Sequence, residues 1–283
     1  MTFQQYLDAK RTVDDRALNR RVLGQFECEL SDGIRILEIG GGTGAMLERL
    51  VSWKRLPKRV QYTVLDIDPE NVATARERLV AYGFEPEDET LRLDDGNHQL
   101  GVTFEVADAV EFVEKTDEQW DALIGHAVVD LFDLETALPA FLSALAPGGV
   151  CYFPITFDGG SFFHPPNPLD EQVERLYHRN MGGGRGFSDA GRRLLADLPG
   201  HEAEILAAGS SDWVVYPRDG SYPADEATFL NYILETVASV VGNDRDIDSD
   251  AFAEWFRTRT RQVERGELTY IAHQIDVLAT RIR

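Results

Sequence analysis

The 283-residue sequence predicts an α/β fold, a doubly wound and mostly parallel sheet of seven strands. Three observations predict it. Short apolar runs alternate with helical patterns as far as about Phe157. The first run stops at three glycines that open a helix, and acidic or small residues follow the later strands.

The elements follow in order. Residues 4–29 read as one N-terminal helix, with Tyr6, Val13, Leu18, Val22 and Phe26 along one stripe. Residues 34–39 form the first buried strand and 45–53 the helix after the glycines. Residues 60–65 form the second strand, and Pro69 opens a helix running to Tyr82, where its missing N–H costs nothing. Residues 87–106 read as a hairpin turning at Asp94-Asp95-Gly96-Asn97, with 102–106 as the third core strand. A short helix over 109–114 and a strand over 121–125 come next. A helix over 134–146, stopped by Pro147-Gly148-Gly149, leads to the fifth strand at 150–155.

Beyond Phe157 the alternation breaks. Helices are predicted at 169–180 and 189–198, a strand with an internal turn at 204–215, helices at 225–241 and 249–264, and a closing strand at 268–278. No repeat or low-complexity linker appears, so one domain spanning 1–283 is expected. Its cofactor-binding core occupies about 30–157, helical insertions after strands five and six about 158–200 and 217–266, and a closing strand about 268–279.

Charge and cysteine content restrict the class. The net charge is −21 and lysine occurs only at Lys10, Lys54, Lys58 and Lys115, a balance resembling proteins whose acidic surface keeps them soluble at high salt. Without a visible basic patch, a nucleic-acid partner is not expected. No apolar stretch suits a membrane span and the first residues lack a secretory signal, so a cytoplasmic monomer or homodimer acting on a small molecule is expected. Cys28 and Cys151 sit in apolar neighbourhoods and read as two reduced core thiols, with no metal site.

The loop Glu38-Ile39-Gly40-Gly41-Gly42-Thr43-Gly44-Ala45 satisfies two patterns at once. One is the dinucleotide fingerprint G-x-G-x-x-G/A. The other is an acid, a spacer and alternating glycines, here Glu38, Gly40, Gly42 and Gly44. Both place backbone against a ligand where side chains would obstruct it. Asp66, ending the second strand, suits a ribose diol in either case. Asp108 follows the third strand in Val106-Ala107-Asp108-Ala109; it reads both as a helix N-cap and as an acceptor for an adenine amino group.

With Trp120-Asp121-Ala122-Leu123-Ile124-Gly125-His126 and Pro147-Gly148-Gly149 in the same order, residues 34–155 resemble the class I S-adenosylmethionine-dependent methyltransferases, with their Rossmann-like fold. The resemblance implies methyl transfer from S-adenosylmethionine by in-line displacement, with S-adenosylhomocysteine as product. It implies that Gly40, Gly41, Gly42 and Gly44 face the amino-acid part and sugar of the cofactor. Ile67 would pack on the adenine, and Asp108 with the Ala109 N–H would read its edge. Arg16 or Lys10 on an N-terminal lid would pair with the methionine carboxylate.

His126 and Asp130 are the catalytic candidates, with a packed histidine and a surface acid as their simpler readings. An Asn/Asp-Pro-Pro-aromatic motif is absent at this position, which disfavours methylation of DNA-base or glutamine amino groups. Asp130 and Asp133 alone do not make a metal site. His164, Tyr177, His178, Arg179, Arg185, Asp212 and Trp213 form a polar–aromatic set expected to bind substrate, with helix packing and solvent exposure as the alternative. Two other functions compete. An NAD(P)-dependent oxidoreductase would need a hydride-transfer site, and no YxxxK arrangement is present. A non-catalytic module that binds S-adenosylmethionine would need no base at all.

Overall fold

A computed structural model describes residues 2–96, 98–181 and 187–282. Among the described residues ten strands form one sheet: β1 (Ile34–Ile39), β2 (Arg59–Asp66), β3 (Glu85–Glu87), β4 (Thr90–Asp94), β5 (Gln99–Val106), β6 (Trp120–Ile124), β7 (Leu145–His164), β8 (Ala203–Ser210), β9 (Trp213–Val215) and β10 (Thr269–Arg281). Their order is β3-β4-β5-β2-β1-β6-β7-β10-β8, with β9 also on β10. Within it β5, β2, β1, β6 and β7 run parallel, while β10 returns antiparallel between β7 and β8. This is the predicted doubly wound sheet, with a hairpin added at one edge and the last stretch before the closing strand divided into β8 and β9.

Period-two alternation assigns the two faces. Ile36, Tyr62 and Val64 pack beneath α3 (Arg20–Glu29), α4 (Ala45–Ser52) and α5 (Pro69–Tyr82), whereas Leu37, Ile39 and Leu65 pack beneath α6 (Ala109–Lys115), α7 (Leu134–Ser143) and α9 (Ala190–Asp197). A third apolar cluster joins α1 (Phe3–Ala9) and α2 (Arg11–Ala17) to α8 (Asp170–Asn180), α10 (Glu226–Val241) and α11 (Ser249–Glu264). That cluster seats the N-terminal helices over the carboxyl ends of β1 and β2.

Several boundaries differ from the expected ones. The single helix expected over 4–29 is three helices, broken at Lys10 and again at Leu18–Asn19, where the Asn19 side chain accepts from the Arg21 and Val22 N–H groups and starts α3. The helix expected to reach residue 146 ends at Ser143. Pro147-Gly148-Gly149 instead lies inside β7 as an irregularity, because the β6 partner jumps from Leu145 to Val150. β7 also runs on to His164, paired along β10. The buried Asp276 of β10 ties this centre together, accepting from Ile155 N at 2.8 Å, Asn19 N at 2.9 Å and Tyr152 Oη at 3.2 Å. Cys151 is buried as expected, but Cys28 lies exposed on the outer side of α3. No helix among the described residues is long and apolar enough to cross a membrane.

Candidate active site

At the carboxyl ends of β1, β2 and β5 lies a cleft of about 310 Å³. This is where the connections of a doubly wound sheet run to opposite faces and leave room for a ligand. Its floor is the glycine loop between β1 and α4. Gly40 and Gly42 take φ of +59° and +53°, in the left-handed region. A Cβ at Gly40 would lie 2.5 Å from Val128 Cγ2, and one at Gly42 would lie 3.3 Å from Leu7 of the covering helix. The loop is thus pinched between the turn that follows β6 and the N-terminal cover.

Asp66 fixes that loop. Its Oδ2 accepts from Gly42 N at 2.8 Å, while Oδ1 accepts from Asp68 N at 2.9 Å and Asn71 Nδ2 at 3.1 Å. The carboxylate therefore organises both the glycine turn and the start of α5, and still lines the cleft. Beyond it, Ile67 stands 68% exposed on the cleft wall, an apolar platform for a flat ring. On the opposite wall Asp108 caps α6, its Oδ1 accepting from Val110 N and Glu111 N at 3.0 Å each. No described donor is recorded on Oδ2, so capping leaves that oxygen to a ligand's amino group. Ala109, Gly41 and His126 complete the predicted cofactor residues that line the cleft.

Three cofactor candidates sit elsewhere. Glu38 points to the α3–α4 face of β1, 1% exposed, with Tyr62 Oη donating to its Oε2 at 2.7 Å. Burial pushes its carboxyl up to about 7, against the lowering effect of the Tyr62 hydrogen bond and the Arg49 charge. Strand alternation put it there: Glu38 shares a face with Ile36, beneath the loop and outside the cleft. Gly44 has φ +74° and starts α4 behind the cleft, its absent Cβ facing Ala75. Arg16 points away, clamping the fully buried Glu226 with Nη2 at 2.9 Å from Oε2. Lys10, left as the alternative cation, does line the cleft, 7% exposed.

His126 follows β6 and forms part of the wall. Its Nε2 is buried without a hydrogen bond, 3.5 Å from Asp14 Oδ2. Burial first, then the charges of Lys10 and Arg49, holds the imidazole well below its ordinary pKa, so the ring is neutral and the contact is not an ion pair. Asp14, on α2, is 1% exposed; it accepts from Trp213 Nε1 at 2.9 Å and lies 3.2 Å from Lys10 Nζ. The spacing Lys10-x-x-x-Asp14 on consecutive helical turns was the only sequence signal for this residue, and surface ion pairs give the same signal.

Asp130 lies on the turn Val129–Leu131, not on the cleft wall. Burial pushes its carboxyl up to about 6. Asp133 caps α7 through Glu135 N. The predicted substrate set is dispersed. Trp213 donates to Asp14, and Tyr177 is half-buried near Asp130; burial first, then the charge of Asp130, pushes its phenol up to about 12. His178 instead faces Ser161 Oγ at 3.0 Å, Asp212 accepts from Ser210 Oγ and His273 Nδ1, Arg179 pairs with Asp244 and Asp246, and His164 is exposed at the end of β7. Arg185 lies outside the described residues.

Residues 37–151 match a family model of the methyltransferase domain, the stretch that holds the glycine loop, Asp66, Asp108 and His126. That stretch resembles a methyltransferase domain. Solved structures of methyltransferases agree with the chain on fold. A candidate methyltransferase from Bacillus halodurans C-125 is 13% identical, with 92% of this chain and 97% of that one covered at a TM-score of 0.54. An S-adenosylmethionine-dependent methyltransferase from Methanosarcina mazei is also 13% identical, covering 91% and 97% at 0.50. At such identities the likeness concerns the sheet and its helices rather than the acceptor. No curated protein matches the chain.

Proposed function

We propose that the chain is an S-adenosylmethionine-dependent methyltransferase acting on a small molecule, with S-adenosylmethionine lying along the cleft from Asp108 to Lys10. One observation carries this reading: a single cleft joins an exposed apolar platform at Ile67, a carboxylate oxygen at Asp108, side-chain-free backbone at Gly40–Gly42 and a buried cation at Lys10. That sequence of surfaces matches, in order, an adenine ring, its amino group, a sugar with its amino-acid chain, and a carboxylate. The cofactor supplies a methyl group already activated on a sulfonium. The protein's task is to align an acceptor and exclude water.

Within this reading Ile67 packs on the adenine, Asp108 Oδ2 and the Ala109 N–H read its edge, and the remaining lone pair of Asp66 Oδ2 meets the ribose. Lys10, rather than Arg16, pairs with the methionine carboxylate. His126 stands where the acceptor must approach. Closure by α1 and α2 supports a small acceptor: Gln4 donates to Asn71 Oδ1 at 3.0 Å and Arg11 to Glu48 Oε1 at 2.8 Å, tying the cover to α5 and α4. The net charge of −21 argues against a nucleic-acid acceptor. The reading takes the chain as one unit, core and insertions together, because α1 and α2 share an apolar cluster with α8, α10 and α11.

Calorimetry with S-adenosylhomocysteine, NAD and NADP tests the donor site, and only the first is expected to bind. Tighter binding of a nicotinamide cofactor would overturn the assignment. Incubating the enzyme and S-adenosylmethionine with low-molecular-weight and polymeric cell fractions then separates acceptor classes. S-Adenosylhomocysteine release is expected with the former alone.

A further inference from the structure

We propose that Asp14 and His126 act as a proton-accepting pair, in which Asp14 holds the Nε2–H tautomer and leaves Nδ1 to take a proton from an acceptor bearing O–H or N–H. The inference rests on the reading of the cleft as the methyl-donor site. It starts from an unusual pairing of buried groups: Nε2 of His126 has no hydrogen bond, and a carboxylate oxygen lies 3.5 Å from it. A buried ring N–H beside a carboxylate gains far more than a bare ring nitrogen, whose lone pair would face negative charge. The proton therefore sits on Nε2, and Nδ1 carries the lone pair on a ring that forms part of the cleft wall.

Asp14 is built for a positioning role. It comes from α2, on the cover, and its Oδ1 is fixed by Trp213 Nε1 from β9. Lys10 holds Oδ2 from one helical turn away and stacks 5.5 Å from the same indole. The charged groups around the imidazole come from three places: Lys10 and Asp14 on the cover and Arg49 on α4, with Asp130 on the following turn facing Lys10. Burial first, and then the two cations, keep the ring neutral at rest, as a base must be. The carboxylate offsets the charge that appears when the ring accepts a proton.

The step balances without another reactant. A lone pair on the acceptor's O or N forms the bond to the methyl carbon, and the C–S pair returns to sulfur, giving S-adenosylhomocysteine. The acceptor's proton passes to Nδ1, and solvent removes it after release. A thioether acceptor, or one that arrives as an anion, would have no use for the pair.

Ring-nitrogen NMR on ¹⁵N-labelled full-length protein, with and without S-adenosylhomocysteine, tests the proposal. His126→Gln identifies the signals among the six histidines. At pH 7 the His126 ring is expected as the neutral Nε2–H tautomer. Asp14→Asn should convert it at least partly to Nδ1–H and lower its titration midpoint by about one unit or more. An Nδ1–H tautomer in the unaltered protein, or an unchanged tautomer in Asp14→Asn, overturns the proposal. The unaltered spectrum decides even if Asp14→Asn does not fold. Failure of S-adenosylhomocysteine to bind, with the Nε2–H tautomer intact, overturns the donor-site reading and the pair's catalytic use while leaving the pairing itself established.

Discussion

Asp66 Oδ2 accepts the Gly42 N–H at 2.8 Å, so the carboxylate that ends β2 holds the glycine turn that follows β1. The same side chain holds Asp68 N and Asn71 Nδ2 on its other oxygen. Removing it would loosen the cleft floor as well as the proposed ribose contact. Asp66→Ala is expected to weaken S-adenosylhomocysteine binding at least tenfold by calorimetry, since a hydrogen bond to a charged group contributes roughly 1.5–3 kcal/mol. Asp66→Asn, which keeps one acceptor, should fall between. Unchanged affinity in both would mean the loop needs no such support.

Gly40 combines φ +59° with a Cβ position 2.5 Å from Val128 Cγ2. Gly40→Ala therefore carries two penalties, a left-handed backbone costing about 1–2 kcal/mol and a steric clash. Urea unfolding should show the loss, with cofactor affinity falling alongside. Adding Val128→Ala should recover the steric part and leave the backbone part. Full recovery would mean that the backbone tolerates the substitution.

The Glu38 carboxyl titrates near 7 in the fold, against an ordinary 4.5, because burial disfavours its charged form. Its folded pKa is raised, so its contribution is fully present below about 4.5 and is lost as pH rises through about 7. Relative to Glu38→Gln, the unaltered protein should lose stability on the order of 3 kcal/mol between those values. Urea midpoints for both proteins at pH 5 and pH 8 measure the difference. Parallel midpoints would show that Glu38 is solvated or carries its charge in the fold without penalty.

Arg16 and Lys10 separate a structural cation from one at the cleft. Arg16→Met leaves the buried Glu226 with Thr12 Oγ1 as its recorded partner, at 2.9 Å. The arginine is about a third exposed, so a loss of about 2 kcal/mol is expected rather than that of a fully buried pair. S-Adenosylhomocysteine affinity should stay the same. Lys10→Met should weaken that affinity about tenfold by removal of a charge-assisted contact. The reverse pattern would restore Arg16 as the carboxylate partner.

By itself the sequence determined what local pattern can determine. Alternation of apolar runs with helical stretches gave the parallel core, Pro69 marked the start of α5, and the glycine turn with Asp66, Ile67, Asp108 and His126 marked the cleft. These residues lie at strand ends, and in a doubly wound sheet strand ends converge whatever the insertions do. Even so, the motif's first acid misleads: Glu38 sits on the buried face of β1 because strand alternation, not motif membership, sets its direction. Tertiary structure alone decided the rest. Arg16 meets Glu226 across 210 residues, and Trp213 meets Asp14 across 199. No periodicity registers such pairings, because they depend on how α1 and α2 dock on the insertion helices. The cover therefore brings Lys10 and Asp14 to His126, and the sequence could name the histidine but not its partner.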